Sequence, residues 1–419
     1  MEEVAIVSAV RTPIGRYLGS LKDVPAYDLG ALVLNEAVKR ANVNPAQVDG
    51  VIIGQCYQSG EYVNLARMSL LCAGWPVEVT GVTLDCRCCS GLEAISFAAM
   101  SIETGNADIM VAGGIESMSN AELYIPGDIK WGLGGKNDAK WGFMPRGHGS
   151  LSMWGIPLYD RVQRARVMSQ PINRFGELNS MMTWAETAAK TEHIARQDAD
   201  KWAFRSHQKA IAAMDSGKFA QEIVPVTISQ GRKDVVIDTD ETPRRDTSLE
   251  QLAKLSPVYK DGICTAGNSS SENDGASVCV LTTRAKAKEL GVEPMGYIKS
   301  FAMAGADPTL TYPSVPAAVN KCLKKSGLTM NQIELIEIQE AFACQVLADA
   351  RLMGIAEADY DKKINVNGSG ISLGHPLGAT GAMRMTTLLH EMKRRNVRYG
   401  LETICGGGGL GICTIVERQ

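Results

Sequence analysis

Charge of one sign is nearly absent as a surplus. Lys and Arg number 43 and Asp and Glu 46, which leaves a formal net charge of -3. That balance removes the electrostatic reason to propose nucleic acid or an anionic membrane as a partner. No apolar run reaches the ~18 residues that a membrane span requires. Polar and low-complexity tracts are also lacking, and 45% hydrophobic with 21% charged residues describes a globular chain, not a disordered one. Met1-Glu2-Glu3 has no basic flank, so no secretion or transit signal is expected at the start. Val416-Glu417-Arg418-Gln419 carries neither a prenylation nor a peroxisomal signal. The eleven cysteines are odd in number and irregularly spaced, which fits reduced thiols and a cytoplasmic location better than a disulfide framework. Histidines number only five and aromatic residues 6%, so each one in a distinctive setting stands out.

What is abundant is glycine, 42 of 419 residues, about a tenth against the usual ~7%. The length predicts two to four domains. Val4–Val10 and Val51–Gly54 read as buried strands, residues 28–42 as a helix, Gly91–Thr104 as an apolar helix, and Ile109–Ala112 as a strand ending at Gly113-Gly114. Near the C-terminus the same alternation returns, with a strand at Ile333–Ile338, a helix at Gly381–Lys393 and a strand at Leu401–Ile404. Such alternation predicts an α/β fold. Ser90-Gly91, helix, Gly113-Gly114 and Thr380-Gly381, helix, Gly406-Gly407 follow one plan, which hints at a duplicated βαβ unit. Between them, residues 120–250 carry Trp131, Trp141, Trp154 and Trp184 among scattered prolines. They read as a long irregular excursion with helices between Ala185 and Met214.

Three glycine-rich segments carry candidate chemistry. In Asp85-Cys86-Arg87-Cys88-Cys89-Ser90-Gly91, Cys88 just precedes a helix, whose free N–H groups would lower a thiol pKa and favour a nucleophile. A plain core role is the alternative, and no second cysteine pair or nearby histidine completes a metal site there. In Gly374-His375-Pro376-Leu377-Gly378, the loop would fix His375 rigidly, as suits a general base or hydrogen-bond donor. Cys405-Gly406-Gly407-Gly408-Gly409 precedes a strand and not a helix, so it is no nucleotide loop; its bare N–H groups suit an oxyanion. Brought to one end of a duplicated sheet, these residues would form a Cys nucleophile, a His activator and a second Cys proton carrier.

On these three blocks the chain resembles the thiolase family of acyl-CoA:acetyl-CoA C-acyltransferases. Arg11-Thr12-Pro13-Ile14-Gly15, Gly113-Gly114-Ile115-Glu116-Ser117-Met118-Ser119, Thr265-Ala266-Gly267-Asn268 and Glu340-Ala341-Phe342-Ala343 agree at family-like spacing. The resemblance implies two similar βαβαβαββ halves in a five-layered αβαβα body with an inserted loop domain. Boundaries of 1–119 plus 250–292, 120–249 and 293–419 are expected for the first half, the insert and the second half. It also implies ping-pong acyl transfer: Cys88 as the acyl-carrying nucleophile, His375 as its base and Cys405 as the second acid and base. The oxyanion donors would be the N–H groups of Cys88 and Gly407, and His375 with a water held by Gln339. Coenzyme A would be a substrate and not a cofactor, with Arg244, Ser270, Ala266 and Phe342 in its contact set. A homodimer or homotetramer is implied, and an accessory subunit is left open.

Several positions depart from the family pattern. Asp85 and Gln339 stand where Asn, or Asn or His, is usual. Met182 and Trp184 replace Gly and Thr, and Ser180 replaces a common His. Gln339 would hold its water with a longer amide. Arg146, Arg161, Arg164, Arg166 and Arg174 lie beside the loop tryptophans, as in a solvated oligomer-forming loop or a pocket for a bulky, aromatic or dicarboxylic acyl group such as benzoylsuccinyl. The alternatives are a small-chain acetoacetyl-CoA thiolase, a ketosynthase-type condensing enzyme or a non-catalytic acyl-CoA binder. His148, His193, His207 and His390 are expected to be structural.

Overall fold

The computed structural model describes residues 2–126, 150–153, 156–177, 181–231 and 233–419. Trp131, Trp141, Arg146, His148, Trp154 and Ser180 lie outside the described residues. The framework strands are β1 (Val4–Arg11), β2 (Gly50–Gly54), β3 (Thr80–Leu84), β4 (Ile109–Ser117), β5 (Asn273–Thr283), β6 (Gly296–Gly305), β7 (Leu335–Ile338), β8 (Tyr399–Gly406) and β9 (Leu410–Glu417). They run in the order β7-β8-β9-β6-β1-β5-β4-β2-β3. The pairing of β2 with β3 and β4 is parallel, as is that of β7 with β8. β8 and β9 form an antiparallel hairpin in which Cys405 faces Gly411. Among the described residues, the two sets of strands join through Ala5↔Tyr297 and Ile6↔Gly296.

Eight helices matter here: α1 (Ala26–Arg40), α2 (Leu65–Cys72), α3 (Ser90–Glu103), α4 (Met181–Thr191), α5 (Arg196–Asp215), α6 (Ser314–Ser326), α7 (Ala343–Leu352) and α8 (Leu377–Arg395). One apolar core joins Leu29 and Val33 of α1 and Leu65 and Leu70 of α2 to the strands of the first half. Another joins Val315 of α6 and Val346 of α7 to Ile336, Leu401 and Ile415 of the second half. A third lies between them, where Leu92 and Ile95 of α3 and Met385 and Leu388 of α8 meet Ala112, Leu281, Ile404 and Ile412. The layers are therefore α, β, α, β, α, with α3 and α8 sandwiched. Sheets covered on both faces need apolar residues on both, which is why β1, β4 and β5 are buried at every position.

Glycine lets the central helices touch backbone to backbone. A Cβ on Gly91 would sit 2.6 Å from the Gly378 carbonyl oxygen, and one on Gly381 2.6 Å from the Leu92 nitrogen. The matching glycines of the two repeated units thus face each other across the α3–α8 contact.

Some elements differ from the sequence reading. Gly113 and Gly114 lie inside β4 and do not end it, because a side chain there would strike Ser277 or Gly378 backbone. The last long helix begins at Leu377, one turn before Gly381 and two residues after His375. The segment from Ala185 to Met214 is broken at Glu192–Ala195 into α4 and α5. The edge strand β3 gave no sequence signal, since it is buried at none of its positions. The Arg11-Thr12-Pro13-Ile14-Gly15 motif is a structural clamp. Arg11, 1% exposed, pairs with Glu222 at 2.9 Å and Asp240 at 2.8 Å, and so pins the end of the insert to β1. Among the described residues no helix is long and apolar enough to cross a membrane.

Candidate active site

Cys88 stands on a tight turn between β3 and α3. Asp85 Oδ1 accepts the Arg87 N–H at 2.7 Å; Ser90 Oγ accepts the Cys86 N–H at 2.8 Å and donates to the Arg87 carbonyl at 2.6 Å. These bonds hold Arg87 at φ +56, in the left-handed region that costs a non-glycine residue ~1 kcal/mol or more. The turn presents Cys88 at the head of α3. The β8–β9 hairpin then presses in from the other half: a Cβ on Gly406 would lie 2.9 Å from Cys89 Sγ, so only glycine permits the approach. As a result the backbone N–H groups of Gly407 and of Cys88 itself both address the Cys88 sulfur.

His375 is held from three sides. Its Nδ1 bonds Thr380 Oγ1 at 2.7 Å, which leaves Nε2 for the cavity. Its backbone N–H donates to Asn273 Oδ1 at 2.8 Å, and Asn273 in turn donates to the Gly15 carbonyl at 2.9 Å. Gly374 before it adopts φ +100, with Asn273 filling the space where a side chain would go. The His375 loop of the second half is thereby tied to the N-terminal motif of the first.

Burial dominates the electrostatics. Desolvation pushes the Cys88 thiol up to about 11, against the opposing pull of the Gly407 N–H, Arg87 and its own N–H. The expectation of a helix-lowered thiol is therefore corrected: the helix terminus and the N–H donors are present, but enclosure outweighs them. Cys405 is also pushed well up by burial. Burial, aided by Arg384 and Arg166, pulls His375 down to about 3, so the imidazole is neutral. A neutral thiol beside a neutral imidazole must transfer its proton during attack. Glu116 was not singled out for a role by its sequence motif. Its carboxylate accepts the N–H groups of Cys56 at 2.9 Å, Tyr57 at 3.2 Å and Gly378 at 2.9 Å, and burial raises it to about 7.

Cys88, His375, Cys405 and Gly407 line one cavity of about 300 Å³ together with Ser270 and Phe342. Met181, Met182, Trp184 and Leu377 give it apolar walls, and Arg87, Arg166 and Glu272 supply its charge. Ser271 and Glu272 also line a second cavity of about 540 Å³, which contains Arg16, His207, Arg244 and Ala266. Gln339 lies on neither wall; it is 1% exposed behind the loop of His375. Of the loop arginines, Arg166 alone among those described reaches the first cavity, where it pairs with Glu272 at 2.6 Å. Arg161 pairs instead with Glu122, Arg164 stacks on Tyr159 and Arg174 on Phe175. His207 lines the second cavity, and its Nδ1 accepts the Arg244 backbone N–H at 3.2 Å. Arg87 was hidden in the sequence by its neighbour Cys88, and only the turn shows that its side chain reaches the cavity.

Comparison with known proteins adds independent findings. Residues 4–285 match the family model described as Thiolase, N-terminal domain, and residues 292–418 the one described as Thiolase, C-terminal domain. An acetyl-CoA acetyltransferase of Syntrophomonas wolfei is 42% identical over 420 residues, 99% of each chain. A beta-ketoadipyl-CoA thiolase of Acinetobacter baylyi is 40% identical over 422 residues, 100% of each chain. The crystal structure of the Bacillus anthracis acetyl-CoA acetyltransferase superposes with a TM-score of 0.88 at 40% identity, covering 100% of this chain and 99% of that one.

Proposed function

The chain belongs to the thiolase family, and on that premise we propose that Cys88, His375 and Cys405 cleave a bulky, carboxylate-bearing 3-oxoacyl-CoA. The observation that carries the assignment is the convergence of these three side chains and the Gly407 N–H on one apolar cavity, beside a wider polar one that holds Arg16 and Arg244. Thiolase chemistry of the acetyl-CoA acyltransferase type is common to the family.

In the degradative direction His375 Nε2 takes the Cys88 proton as the sulfur attacks the 3-keto carbon. The bond between C2 and C3 breaks, its electron pair passes to the departing CoA ester, and the Cys405 thiol protonates C2. Cys405, now a thiolate, takes the proton of an incoming CoA thiol. The CoA sulfur attacks the acyl group on Cys88, and the released Cys88 sulfur recovers its proton from His375. In the reverse direction the same groups run a Claisen condensation. Donors preorganised on the acyl oxygen suit the N–H groups of Gly407 and Cys88, and each such donor typically contributes a few kcal/mol. Arg16, Arg244 and His207 in the wider cavity suit the phosphates of CoA, while Ser270 and Phe342 suit the pantetheine that must pass between the cavities.

Two guanidinium groups, of Arg87 and Arg166, against one carboxylate, of Glu272, leave the acyl cavity with a net positive wall. A carboxylate on the acyl group would answer that charge, and Trp184 and Phe342 offer aromatic contact to the rest of the chain. The names of the acetyl-CoA acetyltransferase relatives favour a second reading, a small acetoacetyl group. We also propose a homo-oligomer. β3 ends the sheet on one side, and Val82 on it is 55% exposed, an edge suited to a second copy.

The test is to incubate the protein with neutral short-chain, aromatic and dicarboxylic 3-oxoacyl-CoA thioesters without free CoA, followed by intact mass and peptide mapping. A substrate-dependent acyl group on the Cys88 peptide, absent in Cys88→Ser, is expected, with the dicarboxylic thioesters loading best. Acetoacetyl-CoA loading at least as well as the dicarboxylic thioesters, with dicarboxylic loading unchanged in Arg87→Met, would replace the carboxylate reading with the small-chain one.

A further inference from the structure

Three polar side chains of the acyl cavity gather at one place on the insert, the end of the short helix Arg161–Val167. Ala165 packs against Cys56 and Tyr57, and its carbonyl accepts Arg87 Nη2 at 3.4 Å. The next residue, Arg166, reaches the Tyr57 hydroxyl and Glu272. Arg87, Tyr57 and Arg166 all line the cavity that holds Cys88, but their partners differ. Arg166 is committed: its Nη2 donates to Glu272 at 2.6 Å, and the two charges cancel. Arg87 is not. Its 3.4 Å contact with a neutral carbonyl is long for a hydrogen bond, and among the described residues no carboxylate pairs with its guanidinium. Because Arg87 still acts electrostatically on the Cys88 thiol, its uncommitted charge stands close to the reacting centre.

Tyr57 follows β2 with its main chain fixed on both sides. Its N–H donates to Glu116 Oε1 at 3.2 Å and its carbonyl accepts Gln55 Nε2 at 3.3 Å. The residue is 4% exposed, and its hydroxyl lies where Arg166 and Cys88 both act on it. Burial pushes the phenol well above its usual range, so it keeps its proton. A guanidinium has donors and no acceptor, so Arg166 can bond the Tyr57 oxygen but cannot take its hydrogen. Among the described residues no acceptor takes that hydrogen. The O–H is thus an idle donor, strengthened by the cation on its oxygen.

We propose that Tyr57 is a specificity-determining residue: its O–H and the Arg87 guanidinium together hold a substrate carboxylate beside the bond that is cleaved, while Arg166, neutralised by Glu272, supports the Tyr57 oxygen. The proposal rests on the reading of Cys88 as the acyl-carrying nucleophile and narrows the substrate class of that site. The carboxylate lies near the reacting carbonyl, and it is held by one cation and one neutral donor instead of by two arginines. Two donor groups suit the two oxygens of a carboxylate. A neutral acyl chain leaves both unanswered, and a site built to hydrogen-bond its substrate rejects the analogue that cannot respond.

The test pairs a six-carbon 3-oxo dicarboxylic CoA thioester with its ω-methyl ester, which keeps the chain and removes the charge. One readout is the rate of Cys88 acylation by mass spectrometry. The other is the calorimetric affinity of both thioesters for Cys88→Ser, which binds without reacting. Each is expressed as acid over ester, so that a general loss of fold or of CoA binding cancels. The wild type is expected to favour the acid about 100-fold, from two hydrogen bonds to a charged group at about tenfold each. Tyr57→Phe, which removes a single oxygen, should cut that preference about tenfold. Arg87→Met should cut it at least as far, because it removes the charge as well. Arg174→Met, whose arginine stacks on Phe175 outside the cavity, should keep the wild-type preference. A preference in Tyr57→Phe within about twofold of the wild type, well inside that tenfold step, overturns the proposal. So does a wild type that takes acid and ester alike. If no thioester acylates Cys88, the nucleophile reading fails by itself; the acid-over-ester affinity in Cys88→Ser, with and without Tyr57→Phe, still decides the carboxylate site.

Discussion

Gly91→Ala tests whether the contact between α3 and α8 sets both stability and catalysis. Helix propensity alone favours alanine by about 1 kcal/mol. Against it, the new Cβ would meet the Gly378 oxygen at 2.6 Å and the Ala382 nitrogen at 3.1 Å, both main-chain atoms that cannot rotate aside. Ordinary contact begins near 3.4 Å, so the helices must separate by roughly 0.8 Å, and overpacking of this kind costs about 1–3 kcal/mol. The net loss should be about 0–2 kcal/mol, up to a few degrees in thermal midpoint for a chain this long. Cys88 stands at the head of α3 and His375 just ahead of α8, so the same displacement opens the reacting pair. A shift near 1 Å can cost about 100-fold, and a fall in turnover of at least tenfold is expected. Gly105→Ala is the control: its φ of +72 makes alanine cost about 1 kcal/mol, but nothing lies within 4 Å. It should lower the thermal midpoint and leave turnover unchanged. Equal effects of the two variants on turnover, or none from Gly91→Ala on either measurement, would refute the argument.

Alkylation of Cys88 by iodoacetamide should rise about tenfold per pH unit from 7 to 9 without a plateau, because the thiol sits at about 11; a plateau below pH 8 would reveal a preformed thiolate–imidazolium pair. Glu337, raised to about 8 by burial, makes the native state hold more protons than the unfolded state between its ordinary value and 8. Stability should therefore fall as pH rises through that window. Glu337→Gln should flatten the decline in chemical denaturation at pH 6 to 9, and an unchanged slope would show that the carboxyl is ionised in the fold. On the proposal of a homo-oligomer built through β3, Val82→Lys, which places a charge on that edge, should give a smaller species than the wild type in sedimentation with the fold intact; an unchanged mass would refute an interface at β3.

The parts of the fold that were legible in the sequence are those whose burial is two-sided. β1 and β2 read as apolar runs because both faces are covered, and α3 and α8 read as helices because they are sandwiched. β3 was missed for the opposite reason: an edge strand with partly exposed residues such as Thr80, Val82 and Leu84 lacks any run. Gly113 and Gly114 misled because glycine marks either a turn or a close approach, and only the Ser277 backbone beside the first and the Gly378 backbone beside the second decide between them. Site residues followed the same division. Cys88, His375, Cys405 and Gly407 were visible because their loops concentrate rare residue types. Arg87 and His207 were not singled out as cavity residues and Arg166 was visible only as one of five loop arginines, because what places them is a wall shared with residues distant in sequence.

The chemistry of the cavity follows from where the two halves meet. Each half supplies one helix to the middle layer, and the proposed reacting groups sit where those helices begin: Cys88 before α3 and His375 before α8. Neither half could form the site alone, because the Cys88 sulfur receives the Gly407 N–H from the hairpin of the other half. In the reverse direction, the His375 N–H is held by Asn273 of β5, in the first half. Glu116 of β4 accepts N–H groups from Cys56 and Gly378, and so fastens the second half's helix to the first half's loop through one carboxylate. The glycines that let α3 and α8 touch are thus the condition for the cross-half hydrogen bonds, and those bonds fix the donors that acyl transfer uses. A single methyl group at the helix contact therefore acts on the chemistry although it touches no reacting atom.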